Sequence, residues 1–220
     1  SDIVAGQEYS GLAYSAKGTD AGTYDGAFTG EVVIKAGNDD VTSNYKVTKD
    51  PGKLTIKPIA DEVLVTITGE TAEKTYNGAE QSVEGFKYTA TIGEGENVKG
   101  EVKAALKDGK EAIAKGTNAS ADKYMMGLTK DSFNVTSKNY SNLKVVVNDG
   151  SLVINKRPVT FTGETAEKTY NTKEQEITGI TVSKTGGESD IAAGQEYSGL
   201  AESAKGTDAG TYDGAFTGEV

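Results

Sequence analysis

The chain has 220 residues, of which 28 are glycine, and it contains no Cys, no His and no Trp. This composition excludes disulfides, thiolate or imidazole metal ligands, and catalytic units of the Cys-His or Ser-His-Asp type. With 33 acidic against 23 basic side chains, the formal net charge is −10, and the lysines are scattered, so that the sequence has no basic stripe of the kind that binds nucleic acids or anionic membrane surfaces. We therefore expect a protein that is not an enzyme, holds no cofactor, and neither binds nucleic acid nor inserts into a membrane.

Long internal repeats organise the chain. The segment 1–32 recurs as 189–220 with 30 of 32 positions identical, and the segment 68–77 recurs unchanged as 162–171. The two offsets are 188 and 94 residues, so that one is twice the other. A period of 94 residues predicts a series of separate domains, because solenoid proteins repeat units of only about 20–50 residues.

Proline residues mark the expected module boundaries. Pro58 and Pro158 each stand between two runs of alternating apolar residues, and proline stiffens a junction while it cannot donate to a strand ladder. The sequence therefore predicts the C-terminal part of a repeat module at 1–57, a complete module at 58–157 and the N-terminal part of a module at 158–220. These are called the first, central and third copies below. Because the two outer parts are complementary, we expect self-association through them, head to tail or by swapping.

Alternation of apolar and polar residues runs through each copy, whereas no window has the 3.6-residue period of a helix. The pattern predicts a β-rich fold of small tandem modules arranged end to end. Each module would have about seven short strands, in an Ig-like sandwich or a β-grasp-like, mostly-β α+β fold. We expect at most one short helix per module, a single turn near 129–133 or its counterpart around 191–197. Six apolar side chains are expected to face inward: Val65, Ile67, Val145, Val147, Leu152 and Ile154.

Turn residues predict two hairpins in the central copy. Asn77-Gly78 is typical of a type I′ hairpin turn, in which both central positions need positive φ. Thr172 replaces this glycine in the third copy, which predicts a different or looser turn there. Asn148-Asp149-Gly150 predicts a second hairpin that closes the module, as does Asp50-Pro51-Gly52 in the first copy.

A tyrosine motif recurs in all three copies. The sequence Asp-Ala-Gly-Thr-Tyr at 20–24 is repeated at 208–212. It predicts a tight turn in which the tyrosine ring packs inward and its hydroxyl hydrogen-bonds back to the corner, as in Ig sandwiches. The central copy has no glycine between Asn118 and Tyr124, which predicts a looser turn there.

Acidic and aromatic residues supply the candidate sites. The pairs Asp39–Asp40 and Glu94–Glu96 could act as acid and base only if they were held in a cleft, and their Gly- and Asn-rich loops indicate solvated carboxylates instead. The Asp-containing stretches at 37–40 and 148–150 offer oxygen ligands for calcium, but turn formation explains them equally well. No catalytic, cofactor-binding or metal-ligating residue is therefore assigned. Tyr14 and its repeat partner Glu202 are both expected on the surface, because an exchange of tyrosine for glutamate is tolerable only there.

The ordered motifs resemble one known class of repeat. The residues at 20–24, followed by Val-Thr-Ser-Asn-Tyr at 41–45 and Gly-Lys-Leu-Thr-Ile-Lys-Pro at 52–58, resemble the MBG-type repeats of very large bacterial surface proteins and adhesins. Residues 68–86 are similar to the front half of such repeats, so that the resemblance covers essentially the whole chain.

The resemblance implies an extracellular location on the bacterial cell surface, secreted or wall-anchored. It also implies modules that act as a non-catalytic stalk or spacer in cell adhesion. The alternative is a module that binds a host glycan or host protein through loops that differ between copies. The stretch 101–115 is the expected place for such binding, because it is longer than its counterpart in the first copy.

Overall fold

A computed structural model describes residues 3–93, 95–98, 101–185 and 188–219. Strands make up 50% of the structure and helical turns 3%, and no helix of seven or more residues occurs in the described ranges. The predicted β-rich fold is therefore confirmed. Within the same ranges, none of the helices is long and apolar enough to cross a membrane.

Short strands follow one another through the whole chain. The first copy contains β1 Gln7–Ser10, β2 Ala13–Ser15, β3 Gly22–Asp25, β4 Ala27–Thr29, β5 Val33–Ala36, β6 Asp39–Asp40 and β7 Lys53–Ile56. The central copy contains β8 Ile59–Gly69, β9 Thr71–Thr75, β10 Gln81–Glu84, β11 Phe86–Ile92, β12 Glu96–Asn97, β13 Val102–Leu106, β14 Ile113–Gly116, β15 Tyr124–Met125, β16 Phe133–Ser137, β17 Tyr140–Asn148 and β18 Ser151–Asn155. The third copy contains β19 Phe161–Gly163, β20 Gln175–Thr178, β21 Ile180–Val182, β22 Lys184–Thr185, β23 Glu188–Ser189, β24 Ala201–Gly206 and β25 Ala215–Thr217.

Glycine residues divide the central copy into more strands than the expected seven. Gly85 has φ 102°, a left-handed conformation that glycine adopts without steric cost, and it separates β10 from β11. The two strands then join different sheets, β10 with β14 and β11 with β8. Gly179, with φ 141°, separates β20 from β21 in the third copy in the same way.

The helical turns are brief. A 3-10 helix at Lys130–Ser132 confirms the single turn that the sequence predicts near 129–133. The suggested counterpart around 191–197 is only a turn, in which the Gln195 amide donates to the Ala192 carbonyl at 3.0 Å. A second 3-10 helix, at Thr42–Asn44, was not expected. Asp40 favours it, because its carboxylate accepts a hydrogen bond from the Thr42 amide at 2.9 Å.

The chain divides into two compact units. One consists of Ser1–Ile67, Tyr88–Asp108 and Lys130–Val146. The other consists of Thr68–Lys87, Gly109–Thr129 and Val147–Val220. The module boundaries at Pro58 and Pro158 remain a prediction from the sequence.

The first unit contains the fully buried side chains of β8. Four of its sheets have the strand orders β1-β5-β6, β2-β4, β3-β7 and β13-β16. A further sheet, with the strand order β12-β11-β8-β17, has most of its residues in this unit. Val63, Val65 and Ile67 are completely buried, whereas Leu64 is 37% exposed. This alternation follows from the period of two along a strand, and it confirms the inward orientation predicted for β8.

The second unit has its core around β18. Its sheets have the strand orders β15-β18-β9, β10-β14, β19-β21, β20-β24-β25 and β22-β23. Leu152 and Ile154 of β18 form the core with Ala114 of β14, and all three are at most 1% exposed. Six partly buried side chains pack against them: Ala72, Tyr76, Val83, Ala119, Tyr124 and Met126. The inward orientation of Leu152 and Ile154 is confirmed, while Val145 and Val147 are only half-buried.

Neither predicted hairpin of the central copy forms. The strands on either side of Asn77-Gly78 pair elsewhere, β9 in parallel with β18 and β10 in antiparallel with β14. Only Gly78 has positive φ, so the type I′ turn is absent, and the Asn77 side chain instead accepts a hydrogen bond from the Ala79 amide at 3.0 Å. The prediction was wrong because local turn signals do not determine which distant strand completes a ladder.

The second predicted hairpin, which would close the module, does not form either. β17 and β18 belong to different sheets, and the corresponding strand of the first copy, β7, pairs with β3. The Asp149 side chain is instead bonded to the backbone on either side. Its carboxylate accepts hydrogen bonds from the amides of Gly127, Leu128 and Gly150, each at 2.9 Å.

Equivalent strands pair in the same register in different copies. Tyr24 lies opposite Leu54 in the first copy, and Tyr124 lies opposite Leu152 in the central copy. Likewise β10 pairs with β14, and β20 pairs with β24, with a glutamine opposite a glycine at the end of each ladder. The sequence repeat is therefore accompanied by a repeat of strand pairing.

Thr172 holds a backbone conformation that suits glycine. Its φ is 64°, close to the 83° of its counterpart Gly78, and it is the only residue other than glycine with positive φ in the described ranges. The Asn171 side chain accepts a hydrogen bond from the Lys173 amide at 3.0 Å, as Asn77 does in the central copy. The turn is thus retained, and the expectation of a different turn in the third copy was wrong.

Replacing Thr172 by glycine should stabilise the second unit. A residue with a Cβ in this region costs roughly 1–2 kcal/mol, of which the greater chain entropy of glycine offsets about 0.5–1. We therefore expect Thr172→Gly to raise the free energy of unfolding by up to about 1.5 kcal/mol in urea denaturation. Thr172→Ala, which keeps the Cβ, should gain less. A Thr172→Gly variant less stable than the parent would contradict the assignment of strain to this residue.

Candidate functional site

A tyrosine corner forms in each of the three copies. The hydroxyl of Tyr24 donates to the carbonyl of Asp20 at 2.7 Å, and that of Tyr212 donates to the carbonyl of Asp208 at 3.0 Å. The predicted return hydrogen bond is therefore confirmed. In the central copy the Tyr124 hydroxyl reaches six residues back, to the carbonyl of Asn118 at 2.9 Å, which agrees with the looser turn expected there.

Each tyrosine ring covers a glycine of the preceding strand or loop. A Cβ atom built on Gly18, Gly116 or Gly206 would lie 2.1, 2.4 or 2.1 Å from the ring of the corner tyrosine. No side chain fits at such a separation. These glycines belong to the recurring Ala-Lys-Gly-Thr motif, which marks the repeat in the sequence but does not by itself indicate that an aromatic ring lies on it.

The first corner is tied to a distant asparagine of the same unit. The Asn139 side-chain amide donates to the Asp20 carboxylate at 3.0 Å, and its carbonyl oxygen accepts from the Ala21 amide at 2.7 Å. Residues 118 positions apart are thereby joined by a two-point contact. The sequence offered no signal for it, because neither asparagine nor aspartate specifies a long-range partner.

A surface cleft lies in the second unit beside Pro158. It has a volume of about 450 Å³ and is lined by Tyr76, Asn118, Ala119, Lys156, Arg157, Val159, Asp190, Ile191, Ala192 and Gln195. Two hydrogen bonds join its walls, from the Arg157 guanidinium to the Asp190 carbonyl and from the Gln195 side chain to the Tyr76 hydroxyl. The cleft combines apolar surface with two cationic side chains.

The acidic group of the cleft is held in its ionised form. Hydrogen bonds from the Ser183 and Thr185 hydroxyls, together with the charge of Arg157, lower the pKa of the Asp190 carboxyl from its ordinary value. Asp190 therefore carries a negative charge at neutral pH and is unsuited to donate a proton. The geometry supports polar recognition in this cleft better than acid catalysis.

The long repeats differ at two positions, and the residues at each position have different exposure in the first and third copies. Val4 is 61% exposed, whereas its counterpart Ala192 is 5% exposed. A Cβ on Gly78 would lie only 3.3 Å from the Cβ of Ala192, so the small side chain fits a confined place. The repeat copies are therefore nearly identical in sequence but not in surroundings.

The expected surface position of Glu202 is wrong. Glu202 is only 7% exposed, and its side chain packs against two glycines. A Cβ atom on Gly163 would lie 2.7 Å from the Glu202 side chain, and one on Gly214 would lie 1.8 Å from it. Its Oε2 atom has no hydrogen-bond partner among the described residues. Tyr14, at the same place in the first copy, is 46% exposed as expected and packs on Phe28 with ring centroids 5.1 Å apart.

The candidate acid pairs do not form a catalytic arrangement in the described residues. Asp39 and Asp40 are exposed on β6, and hydrogen bonds from the Thr42 hydroxyl and amide lower the pKa of Asp40. The carboxylate of Asp40 is therefore ionised, and its hydrogen bonds are made to Thr42 in the same turn. Glu94 lies outside the described residues, and Glu96 is exposed.

The stretches considered for calcium have structural roles in the chain. Asp149 uses its carboxylate oxygens to accept three backbone amides, as described above. Across the described ranges, no three acidic side chains come together as a metal site.

The stretch 101–115, expected to vary as a loop, mostly forms β13 and β14, which leaves 107–112 as its loop.

Placing a methyl group under the central corner tests its packing. Gly116 has no positive φ, so the chief obstacle to Gly116→Ala is the Tyr124 ring. We expect a loss of about 1–3 kcal/mol in the free energy of unfolding, measured in urea. Tyr124→Phe, which loses only the hydrogen bond to Asn118, should cost about 0.5–1.5 kcal/mol. In a Tyr124→Ala background the cost of Gly116→Ala should largely disappear, and an undiminished cost would exclude the ring as its cause.

Comparisons of the chain with protein-family models, curated proteins and solved structures find no match.

Proposed function

We propose that the chain is a non-catalytic structural segment of a bacterial cell-surface adhesin, in which the repeated modules act as spacers in a stalk. The location would be extracellular, with the protein secreted or anchored to the cell wall. The observation that supports this proposal best is the recurrence of the tyrosine corner, with its ring over a glycine, in each copy.

The features that recur between copies are turns and strand pairings, which maintain the shape of a module, and this favours a mechanical role. The same pairing of a tyrosine with a leucine across an antiparallel ladder is found in the first and central copies. Residues that differ between the long repeats are those whose packing differs, at Ala192 and Glu202. A spacer requires independent modules of constant geometry and requires no convergent set of reactive groups.

Scattering in solution tests the spacer function. A compact chain of this length would have a radius of gyration of about 17 Å. We expect a clearly larger value, with a pair-distance distribution extended on one side, when the data are extrapolated to zero concentration. A radius of gyration near 17 Å would contradict the spacer proposal.

The second candidate function is recognition of a host glycan or host protein, and the cleft beside Pro158 favours it. Aromatic and cationic groups, Tyr76 and Arg157, lie in one concave surface of about 450 Å³, which is within the usual size of ligand sites. The cleft replaces the stretch 101–115 as the place to look, because most of that stretch forms strands.

A glycan array tests this second candidate. We expect acidic glycans to bind, since Arg157 and Lys156 line the cleft, and Arg157→Gln to weaken binding at least several-fold. Lys46→Gln makes the same change of charge outside the cleft and should leave binding unaltered. Equal binding by the two variants, or no binding across acidic and neutral glycans, would count against the cleft as a glycan site.

A further inference from the structure

One asparagine of the second unit has a neighbour that makes it open to reaction. Of the eleven asparagines in the sequence, only Asn77 is followed by glycine, and both Asn77 and Gly78 are exposed. The backbone nitrogen that follows an asparagine can attack its side-chain carbonyl carbon, since the two groups are held close together within one chain. Glycine has no Cβ to obstruct this approach and adopts the backbone conformations that it needs.

Neither reacting group is held by the rest of the protein. Within the described ranges, the Gly78 amide donates to no backbone or side-chain acceptor. The nitrogen of the Asn77 side chain has no protein acceptor there either, and the side chain takes part only through its oxygen. The nucleophile and the leaving group therefore break no protein contact before they react.

The turn also directs a donor at the oxygen that becomes charged. The Ala79 amide donates to Asn77 Oδ1 at 3.0 Å. Attack on the side-chain carbon moves electron density onto this oxygen, and a backbone N–H already directed at it stabilises the developing charge. The hydrogen bond that shapes the turn is therefore also one that favours the reaction.

The third copy has the same turn with the approach obstructed. Asn171 accepts a hydrogen bond from the Lys173 amide at 3.0 Å, just as Asn77 accepts one from Ala79. The residue after Asn171 is Thr172, however, whose branched Cβ stands beside the nitrogen that would attack. The Thr172 hydroxyl also donates to the Asn171 carbonyl at 2.6 Å. One molecule thus contains a reactive and an obstructed version of one turn.

We propose that Asn77 is a site of spontaneous modification, at which the side-chain amide is converted to a carboxylate. The Gly78 nitrogen loses its proton and forms a bond to Asn77 Cγ, while the bond from Cγ to Nδ2 breaks and ammonia leaves with that proton. The product is a five-membered succinimide ring. Water then adds to one of the two ring carbonyls and opens the ring, which gives aspartate or isoaspartate. Water is the only co-reactant, and nothing is oxidised or reduced.

The modified turn borders the cleft beside Pro158. Tyr76 directly precedes Asn77 and lines the cleft, where its hydroxyl accepts a hydrogen bond from Gln195. A Cβ on Gly78 would lie 3.3 Å from the Cβ of Ala192 and 4.0 Å from the side-chain nitrogen of Gln195, and both of these residues line the cleft. A change at this turn therefore reaches the wall of the cleft.

Conversion changes the charge beside the cleft. The new carboxylate is opposite in sign to Lys156 and Arg157, the cationic groups of the lining. The isoaspartate form also lengthens the backbone by one methylene group next to Tyr76. We expect the converted chain to bind acidic glycans several-fold more weakly than the fresh chain. This effect on binding rests on the recognition function proposed for the cleft, whereas the conversion of Asn77 does not.

Peptide mapping by mass spectrometry tests the site. The whole chain is kept in mildly alkaline buffer, which increases the share of amide nitrogen that has lost its proton, and is sampled over days. We expect the mass increase of an amide-to-acid exchange to accumulate in the peptide that contains Asn77, several-fold faster than in the peptide that contains Asn171. Aspartate and isoaspartate should separate as two products. An Asn77 that stays intact, or that converts no faster than Asn171, would overturn the proposal.

Exchanging the residues that follow the two asparagines gives matched variants. Gly78→Thr introduces the third-copy sequence and should slow the conversion of Asn77 several-fold. Thr172→Gly adds no Cβ, so folding should persist, as a thermal melt would verify. This variant should make Asn171 convert about as fast as Asn77. An Asn171 that still reacts slowly beside a glycine would contradict the role given to the turn.

Binding to acidic glycans separates the modification from the function of the cleft. Asn77→Asp carries the charge of one product, while Asn77→Gln remains neutral and serves as its control. Weaker binding by Asn77→Asp than by Asn77→Gln would support the effect on the cleft, and equal binding would overturn it. If Asn77 converts in a chain that binds no acidic glycan, the modification stands and the cleft is excluded as a glycan site.

Discussion

The contact between a tyrosine ring and a glycine is the constraint on which each copy depends. It fixes the strand that follows the corner, and that strand in turn carries the antiparallel partner of the Leu-x-Ile strand, as in the pairs Tyr24 with Leu54 and Tyr124 with Leu152. The hydroxyl donates to a backbone carbonyl of the corner, so that its hydrogen bond is made within the turn itself. Core formation around Leu152 and Ile154 therefore builds on a local turn.

The core of the central copy needs a contribution from far along the sequence. β9 and β18 are joined in parallel although about 80 residues separate them, and this ladder encloses the Leu-x-Ile strand. Tyr170 and Leu54, the counterparts of Tyr76 and Leu152, are 55% and 36% exposed. Burial of this core therefore depends on two segments that are far apart in the chain.

Near-identity of sequence conceals different environments in the outer copies. The two long repeats differ at two of 32 positions, and both positions, Ala192 and Glu202, are buried in the third copy but correspond to exposed residues in the first. Gly78 lies beside Ala192, and Gly163 and Gly214 lie beside Glu202. A repeat of sequence therefore does not establish a repeat of function at each position.

The sequence by itself determined the features that depend on nearby residues. These are the 94-residue period, the β-rich fold, the inward face of β8 and β18, the corner hydrogen bond and the helical turn at Lys130–Ser132, because alternation and turn chemistry act within a few residues. Only the tertiary structure decided which strands pair, why Thr172 keeps the turn of Gly78, and that Glu202 is buried. Strand partners, backbone strain and burial depend on segments that are distant in the chain, and local signals are compatible with several such arrangements.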